Sequence, residues 1–408
     1  MQKLQSMVIM KWIFFLTVLG FSNLLFWSCK NASNELEGVV TINVREGIGK
    51  SSTVLQLEDE IESIECIPLE TSDSALISNI LDLRMSDNYI FIYNGKTSEI
   101  FQFNREGKFI RKIGREGNGP GEYSLITELG IDESYKRLYI FQYDNFPLVY
   151  SFEGEFLSSD STMSYTGGIY VFDNGNKALK GLVMNPTTNA PWAGALMDRR
   201  GEVIMSKSLY NKQNDNEEYL YMKEICFSSF GDRVLFSTLC NDTIYSISST
   251  NIVPQYILDR SNIPGYYKFV CDFRKMNDPI LNSPETIGIY DMFETYKSLY
   301  VRVYMGENIY IQRFNKKTHE LESYLVPEDF KEYSEAIPGN NIIGIDSKFA
   351  YGIPFWPEYY VKQGMRAQVV SSYGIGGLKE KGYLGNLPSN IDIDEDDNPV
   401  IIIYKFKQ

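Results

Sequence analysis

The clearest reactive group in this sequence is the thiol of Cys29, which follows a short apolar segment near the N-terminus. Lys3 and Lys11 give the start of the chain a positive charge, and residues 12–27 are almost wholly apolar. That stretch is shorter than the roughly 20 apolar residues of a transmembrane helix. A basic segment followed by a short apolar segment is typical of a secretory signal. We therefore predict that residues 1–28 are a lipoprotein signal peptide and that Cys29 is lipidated.

A lipid on Cys29 would anchor the protein firmly, because a bacterial lipoprotein carries several acyl chains and a single chain binds a membrane only marginally. Residues 29–38 are polar and show no hydrophobic periodicity, so we expect them to form a tether. The expected location is the cell envelope, with the lipid in the outer membrane and the body facing either the periplasm or the cell surface. An uncleaved signal anchor is the alternative.

Acid–base and metal chemistry have few candidate side chains. His319 is the only histidine and lies in a turn-like run, so neither a Ser-His-Asp site nor a histidine zinc site is expected. Near the C-terminus, Asp392, Asp394 and Asp396 offer oxygen ligands that suit calcium. The alternative is that they form an acidic turn before an apolar strand. We expect no catalytic residue, and Ca²⁺ is the only cofactor that the sequence leaves open.

Aromatic residues in proline-containing segments suggest a binding surface. The candidate binding residues share an aromatic or carboxylate side chain in such a segment, and they are Trp192, Phe355, Trp356, Glu358, Tyr359 and Tyr360. Aromatic faces beside carboxylates suit sugar rings or peptide segments. The alternative is that these rings pack in the interior, where large aromatic side chains contribute much of the buried area.

Composition excludes some classes of partner and of fold. The formal net charge is −14, which repels phosphate backbones, so we expect no nucleic-acid partner. Hydrophobic residues make up 43% of the chain and aromatic residues 14%, enough for a large packed core. The four cysteines of the body lie in or beside apolar runs and lack metal-type spacing, so we expect buried free thiols, with disulfides left open. They are Cys66, Cys226, Cys240 and Cys271.

Short strand-like runs separated by turns recur along the body of the chain. Residues 80–113 contain four such runs, and the turn before the fourth holds Gly107. Gly154 and Gly201 follow at intervals of 47 residues in similar surroundings. A repeat of 40 to 50 residues with four strands is typical of a β-propeller, in which each repeat forms one blade.

We therefore predict an all-β fold: a six-bladed β-propeller of four-stranded antiparallel blades, in a single domain over residues 39–408. Five or seven blades are the alternatives, because the last two repeats are irregular. An open ring would expose unpaired strand edges. We expect an N-terminal strand at residues 39–44 to close the last blade by pairing with the C-terminal strand at residues 399–406. The alternative is that this N-terminal strand packs elsewhere.

A glycine-rich connector, Ile113-Gly-Arg-Glu-Gly-Asn-Gly-Pro-Gly-Glu-Tyr123, follows the first repeat. It lacks the GK[ST] ending of a phosphate-binding loop and leads into a strand, so phosphate binding is not expected. With the flanking runs FNREGKFIRKIG and LGIDESYKRLYIF, it resembles NHL-type six-bladed propellers, in particular exported propeller lipoproteins of gut-type Gram-negative bacteria. The resemblance implies the fold and the location. That family is largely without assigned activity.

Two functions of different class follow from these features. The favoured one is a non-catalytic binding platform at the cell envelope for a glycan, a peptide or a protein partner. The alternative is a metal-dependent, calcium-type lyase or hydrolase with carboxylates lining the central channel of the propeller.

Overall fold

Short strands and tight turns form six small antiparallel sheets arranged in a ring in the computed structural model. The structure describes residues 38–52, 55, 57, 59–143, 145–182, 192–207, 225–238, 242–260, 287–306, 308–326, 355–372, 394 and 396–408. Within those ranges, no helix has the length and apolar character needed to cross a membrane. The predicted six-bladed β-propeller is confirmed.

The described chain begins with a segment that runs along the outside of the ring. It contains β1 (Val40–Asn43), a short helix α1 (Val44–Gly49) and β2 (Ile61–Pro68). The side chain of Asn43 caps the helix by accepting a hydrogen bond from the backbone N–H of Glu46 at 3.0 Å. We call residues 40–68 the strap.

The first three blades are built from consecutive strands, with a single 3₁₀ turn at Ser161–Met163 between the second and the third. Blade 1 consists of β3 (Ile80–Met85), β4 (Tyr89–Asn94), β5 (Glu99–Asn104) and β6 (Phe109–Ile113). Blade 2 consists of β7 (Ile126–Asp132), β8 (Arg137–Gln142), β9 (Leu148–Ser151) and β10 (Phe156–Ser159). Blade 3 consists of β11 (Thr166–Val171), β12 (Lys177–Gly181), β13 (Gly194–Met197) and β14 (Val203–Lys207).

The other three blades complete the ring, and two of them include strands of the strap. Blade 4 consists of β15 (Ile225–Phe230), β16 (Arg233–Thr238), β17 (Thr243–Ser248) and β18 (Ile252–Asp259), with β1 added as a fifth strand. Blade 5 consists of β19 (Ile287–Glu294), β20 (Ser298–Met305), β21 (Asn308–Asn315) and β22 (Leu321–Leu325). Blade 6 consists of β23 (Tyr359–Lys362), β24 (Met365–Val370), β25 (Val400–Phe406) and β2.

Three glycines occupy the same turn in blades 1, 2 and 3. Gly107, Gly154 and Gly201 lie between the third and fourth strands, with φ angles of 79°, 88° and 91°. This left-handed conformation costs a residue with a Cβ atom about 1–2 kcal/mol, which is why glycine recurs there. The 47-residue interval therefore marks a conformational requirement of each turn.

The prediction that an N-terminal strand completes the last blade is confirmed, but the strand predicted for this role, residues 39–44, was wrong. An N-terminal strand does complete the last blade, and that strand is β2, which pairs antiparallel with β25 from Ile61↔Phe406 to Pro68↔Val400. The run at residues 39–44 instead supplies β1, which pairs parallel with β18 at the edge of blade 4. The alternation Ile61-Glu-Ser-Ile-Glu-Cys-Ile-Pro68 suits an edge strand, because Glu62 and Glu65 face solvent while Ile61 and Ile67 are buried.

The core is divided into six clusters, one between each pair of neighbouring blades. Between blades 1 and 2, for example, Phe91 and Tyr93 pack with Leu138 and Tyr150. The central strands of a blade are buried on both faces, so β4 reads as the nearly continuous apolar run YIFIYN. No blade could bury its faces alone, and the ring as a whole therefore supplies the stability.

Candidate functional site

Residues at one end of the central channel line a cavity of about 290 Å³. The innermost strands of the blades surround this channel, and five of the six contribute to the lining: β3, β7, β11, β15 and β23. The cavity opens among the turns that follow these strands, where Asp87, Ser134 and Asp173 lie. It extends inward to Glu128 and Arg366.

Arg84 and Glu128 line one wall of the cavity and belong to a network of ion pairs that joins blades 1, 2 and 3. Glu128 accepts hydrogen bonds from Nη2 of Arg84 at 2.7 Å and from Nζ of Lys180 at 2.5 Å. Arg84 also lies 2.9 Å from Asp82 and donates from Nε to the Leu129 carbonyl at 2.7 Å. The charges balance, so this wall presents oriented donors and acceptors with no excess charge.

Asp82 supports this network from behind the channel. Its carboxylate accepts backbone hydrogen bonds from Leu83 at 2.8 Å and from Leu129 at 2.6 Å, which joins blade 1 to blade 2. Burial raises the pKa of Asp82 from 3.8 to about 6, while Arg84 opposes the shift and Glu128 adds to it. The carboxyl of Asp82 therefore titrates at a higher pH than an exposed aspartate.

Gly168 makes room for the hub of this network. A Cβ atom on Gly168 would lie 2.3 Å from Oε1 of Glu128, which is closer than such atoms can approach. Glycine at position 168 of β11 therefore leaves space for the Glu128 carboxylate between Arg84 and Lys180.

Arg366 forms the opposite wall and is 4% exposed. It donates from Nε to the Pro357 carbonyl at 2.7 Å and from Nη2 to the Glu358 carbonyl at 2.6 Å. Its Nη1 reaches across the channel to the Ser228 hydroxyl and the Ser229 carbonyl, each at 3.3 Å. Burial lowers the pKa of Arg366 to about 10. The guanidinium thus clamps blade 6 to blade 4 and leaves little capacity to capture an anion.

Two tyrosines complete the lining. The rings of Tyr170 and Tyr360 lie 5.9 Å apart at an angle of 71°, and the Tyr170 hydroxyl donates to the Gly231 carbonyl at 2.5 Å. Burial raises the pKa of both phenols, so they stay neutral at physiological pH. Each presents an apolar ring edge and a fixed hydroxyl near the cavity.

The predicted aromatic binding residues divide into three groups. Glu358 and Tyr360 line the cavity. Phe355 and Trp356 are fully buried between blades 5 and 6, and Tyr359 is 9% exposed between blades 6 and 1. Trp192 is buried between blades 2 and 3, in a different part of the ring. The structure therefore brings only part of the predicted set together, and the four buried rings follow the packing alternative that the sequence had left open.

Trp356 occupies a cation–π arrangement in the core. Its indole N–H donates to Oδ2 of Asp291 at 2.9 Å, and the guanidinium carbon of Arg302 lies 4.6 Å from the ring centroid. The ring also contacts Phe293 edge-on at 4.9 Å between centroids. These contacts hold Trp356 in the core between blades 5 and 6.

The described residues of the acidic candidate site lie apart from the cavity. Asp394 and Asp396 are exposed in a turn before β25, and Asp392 lies outside the described residues, as does Cys29. Across the described ranges, no three His, Cys, Asp or Glu side chains converge closely enough to hold a metal ion. His319 lies in the turn between β21 and β22 with a φ of 61°, where its ring stacks on Phe314.

The glycine-rich connector holds a carboxylate of its own. The Glu122 side chain folds back into the loop, where it accepts hydrogen bonds from the Gly119 N–H at 2.7 Å and from Nε of Arg115 at 2.6 Å. A Cβ atom on Gly117 would lie 2.1 Å from Oε2 of Glu122. The glycines are therefore needed to close the loop around Glu122, and this connector lies outside the cavity lining.

The two described cysteines, Cys66 and Cys226, are free thiols. Burial raises the pKa of Cys66 to about 11, so its thiol is unreactive at neutral pH. Cys240 and Cys271 lie outside the described residues.

Sequence reasoning missed the charged lining of the channel. Arg84, Glu128 and Arg366 lie in strands that are otherwise largely apolar, for example Ile80-Leu-Asp-Leu-Arg-Met85. A charged residue in an otherwise apolar strand could have indicated a channel-lining position. It indicates the channel only when the strand is the innermost one of its blade, and the strand pattern alone does not identify the innermost strand.

Similarity to known proteins is confined to the fold and the family. A protein of Bacteroides fragilis described as exported matches with a TM-score of 0.62 and 17% identity, over 91% of this chain and 100% of that one. A member of the DUF4221 family from Bacteroides vulgatus matches with a TM-score of 0.46 and 13% identity, over 86% of this chain and 99% of that one. No curated protein sequence matches significantly. The family model named DUF4934, a domain of unknown function, matches residues 39–405, and the chain therefore belongs to that family.

Proposed function

We propose that this protein is an exported, lipid-anchored binding protein that holds a neutral glycan segment in the cavity at the end of its propeller channel. The single observation that carries the ligand class is the lining, which combines oriented donors and acceptors of both charge signs with two neutral tyrosines.

The mixture of charges in the lining favours a neutral, polar ligand. Four Arg or Lys side chains and six Asp or Glu side chains line the cavity. Arg84 and Glu128 already bond to each other, and Arg366 bonds to the backbone. An anionic ligand would meet the carboxylates, and a hydrophobic one would leave these polar groups without water or partners. Sugar hydroxyls both donate and accept hydrogen bonds, and a sugar ring can pack on the Tyr170 and Tyr360 rings.

The volume of the cavity suits a small sugar group or the end of a longer glycan chain. The cavity of about 290 Å³ lies at the lower end of the range of roughly 300–1,000 Å³ that small-molecule sites occupy. Its open side faces the turns of blades 1, 2 and 3, so a longer glycan could continue into solvent. The alternative ligand of such a binding platform is a peptide or protein partner that presents a small polar side chain to the cavity.

Location is the second part of the proposal. The basic and apolar segments before Cys29 support export and lipidation, and the similar Bacteroides fragilis protein is described as exported. The connector at residues 113–123 supports a relationship to NHL-type repeats. A Cys29→Ser variant should move from the membrane fraction to the soluble periplasmic fraction, whereas Cys66→Ser should stay membrane-bound. Equal membrane retention of both variants would contradict lipidation.

The ligand is tested by calorimetric titration of the purified protein with neutral oligosaccharides and with matched uronic-acid and amino-sugar versions. We expect saturable binding of a neutral compound, weakened at least fivefold by Asp173→Ala, which removes an exposed carboxylate of the lining. Glu202→Ala is the matched control, because Glu202 is exposed on the same blade but lies outside the cavity. The proposal fails if only charged compounds bind, if none binds, or if both variants behave alike.

A further inference from the structure

The strap covers the outer edges of blades 4, 5 and 6 in turn. β1 pairs with β18 of blade 4 over Val40↔Tyr256 to Asn43↔Asp259. Ser52 then bridges to Tyr324 in the outermost strand of blade 5, with backbone hydrogen bonds of 2.8 Å on both sides. β2 finally forms the outer strand of blade 6. The outer edges of these three blades therefore pair with extended segments of main chain.

Blades 1, 2 and 3 end in outer strands with no further strand beyond them among the described residues. β6 carries the exposed charges of Arg111 and Lys112, which discourage pairing with another chain. β10 exposes Phe156 and Leu157 but continues with two serines. β14 exposes three apolar side chains in succession, and they are Val203, Ile204 and Met205 at 45%, 49% and 41%. An apolar, uncovered edge strand is a template for a further strand.

β14 has the same local geometry as the edge that accepts β1. In β18 the register shifts at Gln255, and the pairing with β1 begins at the next residue, Tyr256. In β14 the register shifts at Ile204, so Met205 occupies the position that corresponds to Tyr256. Such a bulge often protects an edge, but the pairing of β18 with β1 shows that a bulged outer strand of this protein still accepts a partner.

We propose that the outer edge of blade 3, at Met205–Lys207, binds an extended segment of a partner protein as a parallel fifth strand, in the way that blade 4 binds β1. The site is continuous with the strap, because β14 neighbours β18 and Lys207 lies over the Tyr245 ring of blade 4 at 5.2 Å. The segment should carry an apolar residue at the position of Ile42, which is 2% exposed in β1.

A second copy of this chain is a poorer occupant than another protein. Two identical β14 edges related by a twofold axis pair antiparallel, whereas the template on blade 4 is parallel. The β1 of a second copy is already paired with its own β18, so the peptide in the test below stands in for a strand that another protein supplies. The proposal is independent of the glycan cavity, because no residue of β14 contributes to the lining.

The test uses the full protein and a fluorescent peptide with the sequence of residues 38–46, GVVTINVRE, beside a scrambled peptide. We expect saturable binding of the first peptide and at least tenfold slower amide exchange at Met205–Lys207. Met205→Lys should abolish both effects and Met205→Leu should keep them. Ser158→Lys, at the corresponding position of β10, is the matched control.

Each outcome decides the proposal, once circular dichroism has shown that every variant is folded. It is overturned if neither peptide binds saturably, or if Ser158→Lys reduces binding as much as Met205→Lys. It is also overturned if the peptide leaves exchange at Met205–Lys207 unchanged and speeds exchange at Val40–Asn43, because the peptide would then be displacing β1 from β18.

Discussion

Blade 2 and blade 6 have the same four-stranded architecture but are assembled in opposite ways. Blade 2 lies within residues 126–159, and tight turns join its strands in order. Blade 6 takes one strand from Ile61–Pro68 and the others from residues 359–406. Blade 2 can therefore form through local contacts, whereas blade 6 requires loop closure over most of the chain, which has a larger entropic cost.

The interfaces of these two blades differ in kind. Blade 2 meets blade 1 through apolar packing and through the ion pairs of Glu128 and Arg84. Blade 6 meets blade 5 through a dense aromatic cluster around Trp356, in which Phe293 and Tyr300 stack at 4.6 Å between centroids. Closure of the ring thus depends on large buried side chains, whereas the interface between blades 1 and 2 also depends on ion pairs.

The largest effect should come from Trp356→Ala. The substitution leaves a cavity and removes the indole that contacts Asp291 and Arg302, so we expect the free energy of unfolding to fall by about 4 kcal/mol. Denaturant titration followed by circular dichroism measures it. Tyr135→Ala, at a 66% exposed position on blade 2, is the control and should change the free energy of unfolding by less than about 0.5 kcal/mol. A loss below about 1 kcal/mol for Trp356→Ala would show that blade 6 does not depend on this ring.

A smaller effect should appear in the pH dependence of the interface between blades 1 and 2. The pKa of Asp82 is raised from 3.8 to about 6 in the folded protein, so the folded state binds this proton more tightly than the unfolded state. Its contribution to the free energy of unfolding is therefore greatest below about pH 4 and falls by up to about 3 kcal/mol as the pH rises to about 6.

The Asp82→Asn variant isolates that contribution. Between pH 4 and 6, the difference in free energy of unfolding between the natural protein and Asp82→Asn should shift steadily in favour of the variant. Asp87→Asn, an exposed position in the same blade, is the control. A constant difference across this range would mean that Asp82 keeps an ordinary pKa.

The smallest effect should distinguish two turn glycines. Gly107→Ala places a Cβ atom 2.2 Å from the Pro68 carbonyl oxygen at the end of β2, whereas Gly175→Ala meets nothing closer than 3.4 Å. Both residues have positive φ, so both variants carry the conformational cost of about 1–2 kcal/mol. We expect Gly107→Ala to lower the free energy of unfolding by about 1 kcal/mol more than Gly175→Ala does, as measured by thermal unfolding. Equal losses would show that the contact with β2 can relax freely.

Features that depend on local geometry can be predicted from the amino-acid pattern alone. Strand-length apolar runs, turns and the recurrent glycines at 107, 154 and 201 predicted the six-bladed propeller, because a turn with positive φ constrains residue type directly. The four runs predicted within residues 80–113 are the four strands of blade 1 for the same reason.

Features that depend on contacts between distant segments follow from the assembled ring and are not visible in the amino-acid pattern. Val40–Asn43 and Ile61–Pro68 are both short apolar strands, and the choice of β2 to close the ring follows from its pairing with β25. Trp356 and Glu358 are neighbours in sequence, yet one is buried between blades and the other lines the cavity. Burial and site membership are properties of the assembled ring, since each face of a blade is defined by the blade that packs against it.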